Sequence, residues 1–201
     1  DVHRIALDKD DKNQLDYGKG NDYWHMDCTS YSVPGKGTLL KCESPPSEGG
    51  ETEFANLYAA YEALPEQRKQ QLIGMRVEHC LSAVGRKLYK APTEEDFARW
   101  DAVFPLTEHP LVWQQKDGRT SLVIGTTASN IVGMLPTEGE EFLEELLHWC
   151  TQNRFTYRHS WKKGDLVIFN NPGLLHRSLP YTEAAGRVMH RATLKGYEAI
   201  A

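Results

Sequence analysis

Short apolar runs alternate with glycine- and proline-rich breaks along the first third of the chain. The run TLLKC (38–42) stands between the turn VPGKG and the loop SPPSEGG. That reads as strand between turns, the habit of an antiparallel sheet. The period then changes. Residues 56–73 (NLYAAYEALPEQRKQQLI) carry apolar side chains at helical spacing, with Asn56 as a cap, Pro65 as an internal break and Gly74 as the stop. Thr93 with Asp96 predicts a capped helix over EEDFARWDAV. Thr137 with Glu140 makes a Thr-x-x-Glu capping box before EFLEELLHWCTQ. β-branched and aromatic runs return at SLVIG (121–125), RFTYRHSW (154–161) and DLVIF (165–169), and RVMHRATLKG (187–196) reads as a closing strand. Residues 1–20 are polar and read as a loop or edge segment. Strands at both ends with helices between them predict a mostly β fold, a sandwich or barrel-like core with inserted helices. Nothing repeats and no linker interrupts the pattern, so one domain over 1–201 is expected.

Composition narrows the function classes. Of 201 residues, 40% are apolar and 25% charged, as in soluble globular proteins. The formal charge of −5 lacks the basic surplus of a nucleic-acid surface. No apolar run reaches membrane-spanning length. No signal peptide is visible, and the first residue is Asp rather than Met, so a preceding natural segment is expected. The cysteines at 28, 42, 80 and 150 form no CxxC pair and read as reduced thiols of a cytoplasmic protein. Apolar helix faces leave room for a homo-oligomer.

The segment DYWHMDC (22–28) places His25 and Asp27 two residues apart. On a strand they would project from one face and offer mixed nitrogen and oxygen ligation. A His-x-Asp pair alone usually binds nothing. Among the other histidines, His176 is the best third ligand. It follows WKKGDLVIFNNPGLL, in which a turn leads into a buried strand and an Asn-Pro-Gly loop presents the imidazole. Two histidines and one carboxylate would make a facial triad with open positions, as at non-haem iron. His148 falls in a helix and His159 in a strand, while His79 and His109 have no partner at ligand spacing.

Arg187 and Arg191 follow His176 by 11 and 15 residues. On a strand, positions 187, 189 and 191 share a face, so both guanidinium groups could point inward and take anions. The bland alternative is two surface arginines paired with glutamates. In GGETEFAN (49–56), Gly49 and Gly50 permit a tight turn and Thr52 offers a hydroxyl, for an anion or simply for the turn.

Together, WHMD (24–27), GGETEFAN, WKKGDLVIFNNPGLLHR (161–177) and RVMHRATLKG resemble the Fe(II)/2-oxoglutarate-dependent dioxygenases of the taurine dioxygenase and dichlorophenoxyacetate dioxygenase family. The resemblance runs over nearly the whole chain and rests on the order and spacing of the motifs. It implies a double-stranded β-helix (a cupin-like jelly roll) with flanking helices. It implies Fe(II) on His25, Asp27 and His176, and O2 and 2-oxoglutarate as co-substrates. Thr52 and Arg187 match the positions that hold the far carboxylate of 2-oxoglutarate. Arg191 matches the position that meets an acidic substrate group, and Asn21 one that lines the substrate side. The implied reaction is hydroxylation of a small anionic substrate, with a carboxylate favoured by SLVIGTTASNIVGM (121–134). Iron halogenases of this architecture lack the carboxylate ligand, so Asp27 favours hydroxylation.

The chain departs from the family in two places beside the third ligand. Phe169-Asn170-Asn171 stands where Trp-Asp-Asn is usual, and Pro172 where an arginine commonly follows. Two other readings remain open: a sulfonate or sulfate-ester dioxygenase of the same chemistry, and a jelly-roll module that binds metal without turnover. Residues 8–22 and 82–95, polar and rich in Gly and Lys, are expected to be mobile lids.

Overall fold

The computed structural model describes residues 1–7 and 18–201. Two antiparallel sheets carry the site. The first has four strands in the order β1 (Val2–Ile5), β12 (Val188–Leu194), β2 (Gly37–Ser44) and β10 (Leu166–Asn170). The second orders β11 (Leu174–Ser178), β3 (Thr52–Asn56) and β9 (Thr156–His159). In both, strands from the end of the chain pair with strands from its beginning. β2 lies between β12 and β10, and β3 between β11 and β9. The sheets pack face to face through Leu40, Cys42, Met189 and Phe169 on one side and Phe54 on the other, with Trp161 at the edge.

The intervening residues, 57–155, supply the helices, as the sequence pattern predicts. Asn56 caps α1 (Leu57–Glu62), its side chain accepting from the Ala59 amide at 3.1 Å. Pro65 separates α1 from α2 (Glu66–Leu72), and Gly74 turns the chain at φ +81°. The Thr93–Asp96 capping box opens α4 (Glu94–Val103) with both reciprocal bonds made. A second cluster of 19 buried residues lies among these elements, against 6 between the two sheets. Most of the buried apolar stabilisation, at roughly 1.5–3 kcal/mol per large side chain, therefore sits outside the space between the two sheets.

Several sequence expectations need correction. Residues 24–27 form no strand. His25 makes a single bridge to His176, and Asp27 already lies in a turn. SLVIG is strand only to Leu122, where β7 (Thr120–Leu122) ends. Val123 and Ile124 are buried instead in one cluster with Trp24, and a Cβ built on Gly125 (φ +129°) would stand 3.1 Å from the His25 Cα. The Thr137–Glu140 box is not formed. α5 (Pro136–Cys150) starts earlier, with Pro136 in its first turn, where a missing amide donor costs nothing. Of the expected lid at 82–95, residues 82–88 belong to α3 (Leu81–Leu88), and residues 94–95 open α4. Of the other lid, residues 8–17 lie outside the described residues. Two further sheets are β5 (Thr107–Pro110) with β4 (Arg76–His79) and β8 (Ala128–Ile131), and the hairpin β6 (Val112–Gln114) with β7; of their strands only β7 is legible in the sequence, through SLVIG. No helix among the described residues is long and apolar enough to cross a membrane.

Candidate active site

Three side chains converge at one end of the sandwich. His25 and His176 exchange backbone hydrogen bonds of 3.0 and 2.9 Å, which brings their ring centroids to 4.1 Å, tilted by 48°. Asp27 Oδ1 faces both, 3.6 Å from His176 Nε2 and 3.9 Å from His25 Nε2. One potential ligand atom from each of the three lies within 4.8 Å of the others. The Nδ1–H of His25 donates to the Tyr23 carbonyl at 2.8 Å, which leaves the Nε2 lone pair directed at Asp27. Two imidazoles and a carboxylate at these separations suit a divalent transition metal.

Asp27 owes its place to Asn171, not to a strand ladder. Asn171 Oδ1 accepts from the Asp27 amide at 2.8 Å, and its Nδ2 donates to the Asp27 and Gly35 carbonyls, both at 3.0 Å. The chain then turns at Cys28, which takes φ +64°, a conformation that costs a non-glycine residue energy and persists only where the surroundings impose it. In the sequence Asn171 stands out only as part of the Phe-Asn-Asn departure and of the Asn-Pro-Gly loop. Its role had one visible signal, a carboxamide just before the Pro-Gly turn that delivers His176.

The carboxylate's two oxygens have different company. Oδ2 accepts from the Thr38 hydroxyl at 3.0 Å and from the Arg191 guanidinium at 2.5 Å. Oδ1 is the one that faces the imidazoles. Burial alone would raise the Asp27 carboxyl, but His176, Arg191, His25 and the Thr38 hydroxyl outweigh it, and the net shift is downward. Burial lowers His25, and burial with the neighbouring His25 lowers His176 to about 3. At neutral pH all three groups are therefore in the deprotonated forms that metal binding requires.

Beside the triad lies a narrow pocket that Thr52, Arg187, Arg191, Asn21 and Tyr181 help to line. β12 begins one residue after Arg187 and has an irregular register between Val188 and Met189. Even so, Arg187 and Arg191 both reach this pocket, as their spacing predicts. Arg187 is buried. Its Nε donates to the Gly50 carbonyl at 2.9 Å, and an Nη meets Thr52 Oγ1 at 3.4 Å. Gly49 and Gly50 hold φ +63° and +68°, and a Cβ on Gly50 would stand 2.8 Å from the Arg187 side chain. Thr52 Oγ1 also accepts from Trp161 Nε1 at 3.0 Å. With both acceptor sites engaged, the hydroxyl keeps its own hydrogen for an incoming acceptor.

On the other side of His25, Asp27 and Arg191 opens a cavity of about 710 Å³. Helices α3 and α4 wall it with Leu81, Val84, Leu88, Trp100 and Phe104, opposite Met26. This is the size and apolar character of a small-molecule site. His25, Asn21 and Arg191 border both spaces, so the triad stands at their junction. The other histidines have different occupations. His79 and His109 pack 5.6 Å apart, bonded to Thr127 Oγ1 and the Thr29 carbonyl. His159 pairs with Asp165, and His148 is exposed.

A largely buried His-Asp-His group, flanked by an arginine-lined pocket and an apolar cavity, defines a class of metal-dependent oxygenase. Residues 1–193 match the family described as taurine catabolism dioxygenase TauD, TfdA family. The chain is 35% identical over 200 residues to the alpha-ketoglutarate-dependent 2,4-dichlorophenoxyacetate dioxygenase of Burkholderia sp. (strain RASC), covering 98% of this chain and 67% of that protein. It is 35% identical over 199 residues to the (S)-phenoxypropionate/alpha-ketoglutarate-dioxygenase of Sphingobium herbicidovorans, covering 96% and 68%. The crystal structure of AAD-2 in complex with Mn(II) and N-oxalylglycine superimposes with a TM-score of 0.90 at 31% identity, covering 100% of this chain and 76% of that one. The chain belongs to the TauD, TfdA family and is an α-ketoglutarate (2-oxoglutarate)-dependent dioxygenase. It spans about two thirds of the length of these curated relatives.

Proposed function

We propose that the protein holds Fe(II) on His25, Asp27 and His176 and uses 2-oxoglutarate and O2 to hydroxylate a small anionic substrate, most simply a carboxylate with an apolar body. The observation that carries this reading is the position of the triad, between a pocket built for an anion and a cavity built for an apolar group. Bound iron would supply oxidative decarboxylation of 2-oxoglutarate to succinate and CO2, coupled to oxidation of a substrate C–H bond. The protein's own part is placement. Arg187 and the Thr52 hydroxyl take the far carboxylate of 2-oxoglutarate through charge-assisted bonds in a water-poor pocket. Arg191, beside Asp27, meets the substrate's anionic group at the inner end of the large cavity. Asn21 borders the same end, and the α3 and α4 side chains hold the apolar body.

The two-sheet core, with its interleaved terminal strands, supports a double-stranded β-helix, or jelly roll, in one domain. The four free cysteines support a reducing, cytoplasmic setting. Phenoxyacetates and other carboxylates are the substrates to test first, because the names of the two curated relatives carry them.

The test is succinate formation from 2-oxoglutarate in the presence of Fe(II), with a panel of aryloxyalkanoates, alkyl sulfonates and alkyl sulfate esters. Turnover stimulated by a carboxylate supports the proposal. Stimulation only by sulfonates or sulfates would move the substrate class. Metal binding without succinate from any member would favour the non-catalytic module.

A further inference from the structure

We propose that a ladder on the outer face of the second sheet, Trp24–Arg177–Glu53–Arg158, is a positioning device that holds the metal ligands in register from behind. The proposal rests on the iron reading above. Its starting point is a weakness in the fold: the segment carrying His25 and Asp27 is no strand, and a single bridge pairs it to β11. Such a segment lacks the repeated ladder that fixes a strand's register.

Residues on β11 alternate between faces. His176, Arg177 and Ser178 all border the narrow pocket, and by the strand's alternation the Arg177 guanidinium turns to the outer side. There it stands opposite Glu53 of β3, which stands opposite Arg158 of β9. Arg177 donates from Nε to Glu53 Oε2 at 2.7 Å, with Nη2 at 2.7 Å from the same oxygen. Arg158 gives Glu53 Oε1 bonds of 2.9 and 2.7 Å from Nε and Nη2. The Arg177 guanidinium also lies over the Trp24 ring, 4.7 Å from its centroid.

Three of the four members of this ladder adjoin a member of the site. Trp24 precedes His25, Arg177 follows His176, and Glu53 follows Thr52. Glu53 is only 7% exposed. A carboxylate buried to that degree is costly unless fully paired, and here two arginine forks pair it. Its loss would release Arg177, and with it the side-chain stack that β11 places on Trp24. The stacked indole and guanidinium faces add to the bridge, to the Asn171 contacts and to the Ser178–Asn21 backbone bond in fixing the segment that carries His25 and Asp27.

The sign of the metal response separates positioning from electrostatics. Removing a cation near a site for a dication strengthens metal binding by Coulomb's law. Removing a positioning group weakens it. The experiment is Mn(II) titration followed by electron paramagnetic resonance of free Mn(II), with thermal unfolding measured in parallel. Wild type is compared with Arg177→Met, Arg177→Lys, Glu53→Gln, the Arg177→Met/Glu53→Gln double variant, and Arg76→Met in the remote exposed pair Arg76–Glu108.

We expect Arg177→Met and Glu53→Gln each to weaken Mn(II) binding about 10–100-fold, the scale for groups that orient metal ligands. The double variant should lose little more than either single one. Arg177→Lys should fall between wild type and Arg177→Met, and Arg76→Met should bind as wild type. Unchanged or tighter Mn(II) binding in Arg177→Met, with only a lower melting temperature, overturns the proposal. Should Arg177→Met fail to fold, the exposed Arg158→Met carries the test with a smaller loss of the same sign. Wild type binding no better than His176→Ala overturns the iron reading, and the positioning role with it.

Discussion

Asn171 grips Asp27 by its backbone, accepting from its amide at 2.8 Å and donating to its carbonyl at 3.0 Å. One fully buried carboxamide thus takes over from a strand in placing a candidate metal ligand. Replacing Asn171 with Ala leaves the Asp27 amide and the Asp27 and Gly35 carbonyls without these partners. Each such buried group costs about 1–3 kcal/mol. The variant should lose several kcal/mol in urea unfolding, and Mn(II) affinity should drop as well. Wild-type stability with normal metal binding would mean that Asn171 is replaceable by water and does not place Asp27.

Arg187 and Thr52 should matter to 2-oxoglutarate and not to the metal. A hydrogen bond to a charged group contributes about 1.5–3 kcal/mol, or about 10- to 150-fold in binding. Arg187→Ala should therefore raise the KM for 2-oxoglutarate by at least about tenfold and leave Mn(II) affinity near wild type. Thr52→Val should produce the same pattern more weakly. Equal loss of metal affinity in either variant would show that these residues support the fold of the triad instead of contacting the co-substrate.

The apolar cavity depends on one close approach between its two helices. A Cβ at Gly85 would meet the Trp100 ring at about 2.6 Å or less, far inside van der Waals contact. Gly85→Ala should displace the indole and reshape the cavity, with the cost falling on bulky substrates. With a phenoxyacetate series, the ratio of kcat/KM for the unsubstituted to the dichlorinated acid should rise, and the KM for 2-oxoglutarate should stay put. An unchanged ratio would place substrate away from this wall.

Acid should weaken the fold through histidines remote from the metal. His79 is wholly buried in β4, and burial and the neighbouring His109 lower it from 6.5 to about 3. The folded protein resists the proton that the unfolded chain accepts. This contribution is therefore intact above pH 6.5 and is lost as the pH falls towards 3. By linkage, His79 alone removes about 2 kcal/mol by pH 5. His109 is lowered as well, first by burial, and adds to the slope. Urea midpoints of chelator-treated protein between pH 8 and 5 should show the decline, and His79→Gln should flatten it. Parallel profiles for the two proteins would contradict this.

What the sequence revealed and what it hid follow from the same physics. The strands β2, β10 and β12 were legible because β-branched and apolar runs sit between glycine- and proline-rich turns. The capping box at Thr93 and the break at Pro65 are local effects, and they appear where expected. The three candidate ligands and both arginines were legible because strand spacing put Arg187 and Arg191 on one face, and the resemblance supplied the rest. The expected strand at 24–27 failed although its consequence held, since Asn171, 144 residues away, supplies the restraint. SLVIG failed as a full strand because its last residues are recruited beneath His25. The expected lid at 82–95 is mostly helix because Leu81, Val84 and Leu88 recur at helical spacing that its polar residues obscure. The salt bridge between Arg191 and Asp27 could not be read, because it joins residues 164 positions apart through the site itself.

The central claim is that His25, Asp27 and His176 hold a metal beside a pocket for 2-oxoglutarate. Its most direct test is anaerobic absorption spectroscopy of the purified protein as Fe(II) and then 2-oxoglutarate are added, in wild type and in His176→Ala. The expected result is a weak visible charge-transfer band that needs both additions and is absent from the variant. An iron-loaded, folded wild type with no such band would contradict it.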